Sequence, residues 1–361
     1  MSNDVNGEMV SLARDYRGLT QKILAEQSQV SQSLIAKIEG AIARDVATDT
    51  LGKIALTLKF PTKFFYLDEE MVGFGSSSYY YRKKSRILAS DRKRIAGMVN
   101  LHRICISRLL RSTDMQFDRT LPSFNIEKTT DRPSEIAQRV RAHWCLPEGP
   151  IRNMTRLMER AGVIVVPCDF GTEHMDGTTI HLNNCAPLVF YNKNMTGDRL
   201  RFTLAHELAH LVMHSDPSET MEDEADEFAG ELLTPREEIR AHLRASGKIT
   251  IPKLLELKPY WKVSAASLLV RADQLGLLTG GQKKYLWATM SSSGYKRTEP
   301  VDIPKESPVN HKGLIAYFTD NLGYSVRELA STVSMPEDLL YELYADCLPR
   351  KPSAPELRLV R

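Results

Sequence analysis

The chain has 361 residues, 42% of them hydrophobic and 26% charged, with a net charge of +3. That length holds two or three domains with sizeable cores, and so small a charge bias argues by itself for neither nucleic acid nor a membrane. Five cysteines, at 105, 145, 168, 185 and 347, never form a CxxC pair, which disfavours a disulfide framework or thiolate zinc site and fits a reducing cytoplasm. The first residues lack a basic start followed by an apolar core, and no stretch approaches about eighteen uncharged apolar residues, so neither secretion nor membrane spanning is expected.

In chain order, residues 9–71 read as a small helical module, with 8 Lys/Arg against 5 Asp/Glu between 9 and 66. The Gly/Ser-rich VGFGSSS at 72–78 marks a linker. Tyr79 to Arg111 then carries ten Lys/Arg and one acid, Asp91, and residues 79–130 are expected to form a basic helical connector, either a solvated basic helix or an extension that contacts phosphate. Residues 131–280 form the third region. Arg132–Ala161 is helical in pattern, GVIVVPCDF and APLVFYN read as short buried strands, and Leu200–His214 as a long helix, followed by ten acids against two arginines between Asp216 and Arg240. Beyond Gly280, GGQ, SSSG and Pro300, Pro304 and Pro308 punctuate a loop-rich stretch, with helical patterning again only from about Lys312 to Leu348.

Within the first module, Thr20 can cap one helix and Ser31 a second, with Val30 in the turn between them. Ile23 and Leu24 point inward on the first helix, and Leu34, Ile35 and Ile38 on the second. Gln32, Ser33 and Lys37 then lie on the outward face, where a recognition helix meets a major groove, and Gln21 is placed over phosphate. The stretch Met9–Tyr66 resembles the Cro/repressor-like (XRE) helix-turn-helix family. That resemblance implies a five-helix bundle, binding to double-stranded DNA, and a homodimer on a two-fold site. Ser28 stands where that family has a glycine in the turn.

The central motif is HELAH. His206 and His210, four residues apart, project from one helix face and can place two imidazole nitrogens on one zinc ion, with Glu207 in the same cleft. Leu204, Ala205, Leu208, Ala209 and Val212 surround them, so the helix is buried and its polar groups need partners or a metal. A third ligand is expected from SETMEDEADEFAGELLTP: Glu222 is the candidate chosen, with Glu224 and Glu227 as alternatives. Glu222 and Asp226 are spaced i, i+4, so one can bind zinc while the other accepts the free ring N–H of a ligand histidine; Glu224 is placed on another face. His174, His181 and Tyr191 are candidates for stabilising an oxyanion, and His214 could approach the metal or support it from outside.

Three ordered motifs, RLRFTLAHELAHLVMH, EDEADEFAGELLTP and WKVSAASLLVRADQLGLLT, together resemble the ImmA/IrrE family of zinc metallopeptidases over roughly Ile151–Leu278. The resemblance implies a gluzincin-like site, with His206, His210 and Glu222 as zinc ligands and Glu207 as catalytic base. It also implies a helix-turn-helix repressor or an antitoxin as the protein cut. The alternative is a helix-turn-helix regulator whose zinc domain senses a signal or holds the fold without proteolysis.

At the far end, YSVRELASTVSMPEDLLYELY aligns with LTQKILAEQSQVSQSLIAKIE at a constant offset of 305, so residues 281–361 are expected to hold a second helix-turn-helix-like element. Pro336, Glu337 and Asp338 open its second helix, where negative charge opposes DNA, which favours a protein-contact role. The expected architecture is multidomain and mainly α: an N-terminal five-helix bundle, a central α+β zincin-like metallopeptidase domain and a helical C-terminal region.

Overall fold

The computed structural model describes residues 4–73, 87–113, 120–182, 186–245 and 247–349. Most of the expected linker, Tyr79–Arg86 of the basic stretch, Cys185 and the tail beyond 349 lie outside the described residues. The fold is mainly helical with one small sheet, and no helix among the described residues is long and apolar enough to cross a membrane. The chain packs as two compact units. The first draws on described residues 4–72, 88–113 and 310–349, the second on those between 120 and 309.

The first unit opens with α1 (Gly7–Tyr16), α2 (Gln21–Ser28), α3 (Gln32–Glu39) and α4 (Thr48–Leu58). Thr20 Oγ1 accepts from the Ile23 N–H at 3.2 Å and Ser31 Oγ from the Leu34 N–H at 3.3 Å, the two caps expected from the sequence. Leu24, Ile35 and Ile38 are fully buried, but Ile23 is 38% exposed and does not point inward. The left-handed turn residue is Gln29 (φ 55°), while Ser28, on the last turn of α2, donates to the Leu24 carbonyl. TLGKIALTLKF, the helix expected to complete a five-helix bundle, is only the fourth, α4, and after it Thr62–Tyr66 forms a 3-10 turn. Phe64 and Phe65 are both seated in the core by that one turn, and the chain then extends at Leu67.

The described part of the basic stretch does not form a solvated helix. That part, α5 (Ala89–Leu110), is the central helix of this unit and is buried on nearly every face from Ile95 to Leu109. Two of its cations are used internally: Arg103 pairs with buried Glu69 at 2.9 Å and Arg108 donates to the Thr332 carbonyl. Gly97 allows close approach to α1, since a β-carbon there would lie 3.1 Å from the Tyr16 nitrogen.

In the second unit, α6 (Pro133–His143) and α7 (Met154–Arg160) lead into β1 (Ile164–Cys168), β2 (Gly177–Ile180) and β3 (Leu188–Asn192). The strand order is β1-β3-β2, with β1 parallel to β3 (Ile164 opposite Leu188) and β2 antiparallel (Thr179 opposite Val189). β2 had no counterpart among the expected strands. Then follow α8 (Gly197–Met213), α9 (Met221–Leu233), α10 (Arg236–Arg244), α11 (Ile251–Trp261), α12 (Ala265–Gln274) and α13 (Gly280–Ser292). The last occupies a stretch read as loop: Thr279 and Gln282 form a capping box ahead of buried Leu286 and Met290, which offsets the helix-weakening Gly280 and Gly281. Residues 299–309 return to α8. Glu306 pairs with fully buried Arg201, Glu299 and Asp198 share Lys258 at 2.7 Å each, and a β-carbon at Gly197 would collide with the Ile303 carbonyl.

The first unit is completed by α14 (Asn310–Ala316), α15 (Val326–Val333) and α16 (Glu337–Tyr344). The boundaries of α15 and α16 are those of α2 and α3 shifted by 305, and Ser334 (φ 58°, ψ 34°) repeats the left-handed Gln29 (φ 55°, ψ 37°). The sequence echo is therefore a repeat of local backbone geometry.

His102 of α5 lies against the Tyr344 hydroxyl at 3.0 Å. Burial, with nearby His311, holds its imidazole down at about 3 against an ordinary 6.5. The unfolded chain takes up the proton first, so stability present above about pH 6.5 is lost as pH falls towards 3, by up to about 1.4 kcal/mol per unit. Urea midpoints of His102→Phe are expected to depend less on pH between 6.5 and 4 than those of the native chain; parallel midpoints would refute this.

Candidate metal centre

The site is built by two consecutive helices on the sheet. α8 is buried along Leu200, Leu204, Ala205, Leu208, Ala209 and Val212, which packs it against β2, β3 and α9. α9 buries Ala225, Phe228, Ala229, Leu232 and Leu233, and so turns its acidic first turn towards α8. Desolvation of the two helix faces thus brings imidazoles and carboxylates together from segments separated in sequence by the turn at 214–220.

His206 Nε2 and His210 Nε2 lie 3.1 Å apart, and Glu222 approaches them with Oε2 3.2 Å from His206 Nε2 and Oε1 3.6 Å from His210 Nε2. Zinc bonds of about 2.0–2.1 Å at tetrahedral angles separate neighbouring donor atoms by about 3.3 Å, so the two ring nitrogens and the Glu222 carboxylate sit near ligand spacing. Glu222 Oε1 is also a buried oxygen with no hydrogen-bond partner, as a carboxylate awaiting a cation would be. His206, His210 and Glu222 therefore fit a zinc ion.

Asp226 stands beside the same histidine, its Oδ1 2.9 Å from His206 Nδ1, the supporting contact anticipated for one of the Glu222/Asp226 pair. Burial opposes a charged imidazolium at His206, but Asp226, Glu222 and Glu207 outweigh it and raise its pKa to about 10. Burial, reinforced by His206 and His214, drives His210 well below its ordinary value. Such a cluster favours positive charge at its centre, as a divalent cation supplies.

Glu207 is 3% exposed and its Oε2 accepts from Thr179 Oγ1 at 2.6 Å. Burial pushes its carboxyl up to about 7, with His206 and the Thr179 hydrogen bond pulling the other way. A β-carbon at Gly177 would lie 3.0 Å from Glu207 Oε1 and 2.9 Å from Thr203 Cγ2, so glycine keeps that oxygen's space clear. Neither Thr179 nor Gly177 stood out in the sequence; their only signal is a short β-branched run.

The other candidates are placed differently. His174 and His181 are exposed, and Tyr191 is buried near Cys168, Glu159 and Glu306. Glu227 accepts from the Ser134 N–H, and Glu224 meets His214. In the first unit Gln32, Ser33 and Lys37 are exposed together on α3, whereas the Gln21 amide donates to Glu39, itself paired with Arg14. Gln21 is thus an internal brace, held by the carboxylate that also orders the end of α3.

The sequence model of the Peptidase_M78 family, described as the IrrE N-terminal-like domain, matches residues 158–273. No curated protein matches the chain. The matched segment contains all three strands, α8, α9 and every member of the cluster, and is similar to a metallopeptidase domain of the IrrE kind. Helices α1–α6 and α13–α16 lie outside it, as do Glu299 and Glu306.

Proposed function

We propose that this chain is a DNA-associated zinc endopeptidase that hydrolyses a peptide bond in a helix-turn-helix repressor or an antitoxin and so relieves repression. The observation that carries this reading is the convergence of His206 Nε2, His210 Nε2 and Glu222 at ligand spacing beside the buried carboxylate of Glu207. Zinc held there supplies Lewis acidity, which acidifies a water molecule and polarises a peptide carbonyl. Glu207 is the group that takes the water's proton and passes it to the departing amine. Thr179 occupies Oε2, so Oε1, facing the space that Gly177 leaves, is the oxygen free for that transfer.

The DNA part of the proposal rests on α2 and α3, two capped eight-residue helices joined by a left-handed turn. Gln32, Ser33 and Lys37 are exposed on α3, where side chains of a recognition helix reach base edges and phosphate, and a homodimer on a two-fold site follows from the XRE resemblance. The acidic start of α16 suits a protein partner better.

The test compares new protein N-termini in cells expressing the native chain or His206→Ala/His210→Ala. Cuts in a helix-turn-helix protein or antitoxin that vanish in the variant are expected. Identical termini in both would sink the peptidase reading and leave a zinc-containing regulator. For the DNA part, Lys37→Ala is expected to weaken duplex binding and to reduce its salt dependence by about one charge.

A further inference from the structure

His214 and Glu224 stand outside the ligand set, yet their side chains are tied to it. His214 follows α8 directly, and its N–H donates to the His210 carbonyl at 3.2 Å. Its side chain is 1% exposed, Nδ1 lies 2.9 Å from His210 Nδ1, and Nε2 lies 3.0 Å from Glu224 Oε2. Glu224 is itself held, since its Oε1 accepts from Thr220 Oγ1 at 2.8 Å and its N–H donates to the Thr220 carbonyl. A hydrogen-bonded row thus runs from exposed Thr220 through half-buried Glu224 and the enclosed His214 ring to the face of His210 remote from Glu222.

We infer that His214 and Glu224 are a positioning pair that sets the ring orientation and tautomer of His210 for metal binding; this rests on the reading that His206, His210 and Glu222 hold zinc. The proton positions follow from the partners. A carboxylate oxygen only accepts, so His214 Nε2 carries hydrogen and donates to Glu224. Neutral His214 then has a bare Nδ1, which can only accept. Across the 2.9 Å contact His210 Nδ1 must donate, and the lone pair of His210 is left on Nε2, the atom facing His206 Nε2 and Glu222. His214 is not a fourth ligand: one of its nitrogens is taken by Glu224 and the other faces the wrong nitrogen of His210.

The two ligand histidines are therefore supported from the same helix by different routes. His206 meets Asp226 directly, and that carboxylate is 58% exposed; His210 reaches Glu224 only through a ring closed off from solvent. The acids at 222, 224 and 226 have three separate tasks, namely ligand, support of His210 and support of His206. A buried support is screened less by water than an exposed one, so its loss is expected to cost the metal more.

The experiment measures zinc affinity of the full chain by chelator competition, together with the visible absorption of the cobalt-substituted protein. His214→Phe keeps the ring and removes both polar contacts; a loss of about 10–100-fold in zinc affinity and a shifted cobalt spectrum are expected. Glu224→Leu, at a position 24% exposed and tolerant of change, is expected to do the same, while Glu224→Gln still accepts from His214 and keeps affinity within a few-fold. Combining His214→Phe with Glu224→Leu is expected to cost no more than either alone, because the two act in series. Zinc affinity and cobalt spectra unchanged in Glu224→Leu and His214→Phe overturn the pairing. A native chain that binds neither metal overturns instead the zinc reading on which it rests.

Discussion

Replacing Glu207 by glutamine is expected to leave zinc bound while lowering peptide hydrolysis by about 10²–10⁴-fold, the usual contribution of a positioned general base. The replacement is isosteric, and its amide oxygen can still accept from Thr179, so the helix keeps its packing and the three ligand atoms their spacing. What is lost is the proton acceptor. Burial has pushed the Glu207 carboxyl up to about 7, which makes it a stronger base than an exposed glutamate near neutral pH. Zinc content and the rate at which the protein substrate gains new N-termini, compared between the two chains, decide the matter. Equal rates at equal zinc content would show that Glu207 is not the base.

The second large effect is expected far from the metal. Arg201, on the helix that carries the motif, is fully buried; its guanidinium pairs with Glu306 and donates to the Ile151 carbonyl at 2.6 Å. Glu306→Ala leaves an uncompensated buried cation, which costs about 3–5 kcal/mol. For a unit of this size that corresponds to a fall of roughly 6–20 °C in melting temperature. Glu306→Gln, which retains a hydrogen-bond acceptor, is expected to lose less. Because Glu306 lies beyond the matched segment 158–273, a fragment ending at 273 is expected to be unstable, lacking also the Glu299 carboxylate that receives Lys258. Thermal unfolding followed by circular dichroism reads both. A Glu306→Ala chain that melts within about 1 °C of the native one would remove the strap from any role in holding α8.

Local chemistry in this chain was readable one segment at a time. Thr20 and Ser31 are caps because hydroxyls accept from the N–H groups two or three residues on, and a linear sequence contains both partners. Spacing of four put His206 and His210 on one face for the same reason, and the 305-residue echo survived as repeated helix ends and a repeated left-handed turn. Readings failed where the partner was distant. The charge of the 79–111 stretch suggested a solvated helix, but in its described part Glu69 and the Thr332 carbonyl receive two of its cations, and α1 closes over Gly97. Helix α13 was hidden by two glycines whose cost is met by a capping box and by burial of Leu286 and Met290.

The sequence by itself determined the two histidines, the glutamate between them and the acidic helix that follows, since these rest on helical periodicity and on the donor chemistry of each side chain. Only the tertiary structure decided which acid does what. Spacing favoured Glu222 as ligand and put Glu224 on another face, but it named no nitrogen for any of the three, and it is the docking of α9 on α8 that gives Glu222, Glu224 and Asp226 each a different nitrogen to face. The structure alone also supplied Thr179 and Glu306, which come from a strand and a strap that return to α8 from 28 and 105 residues away along the chain. Burial explains both: a carboxylate or guanidinium removed from water must find a partner wherever the fold provides one, and periodicity along a single segment carries no record of it.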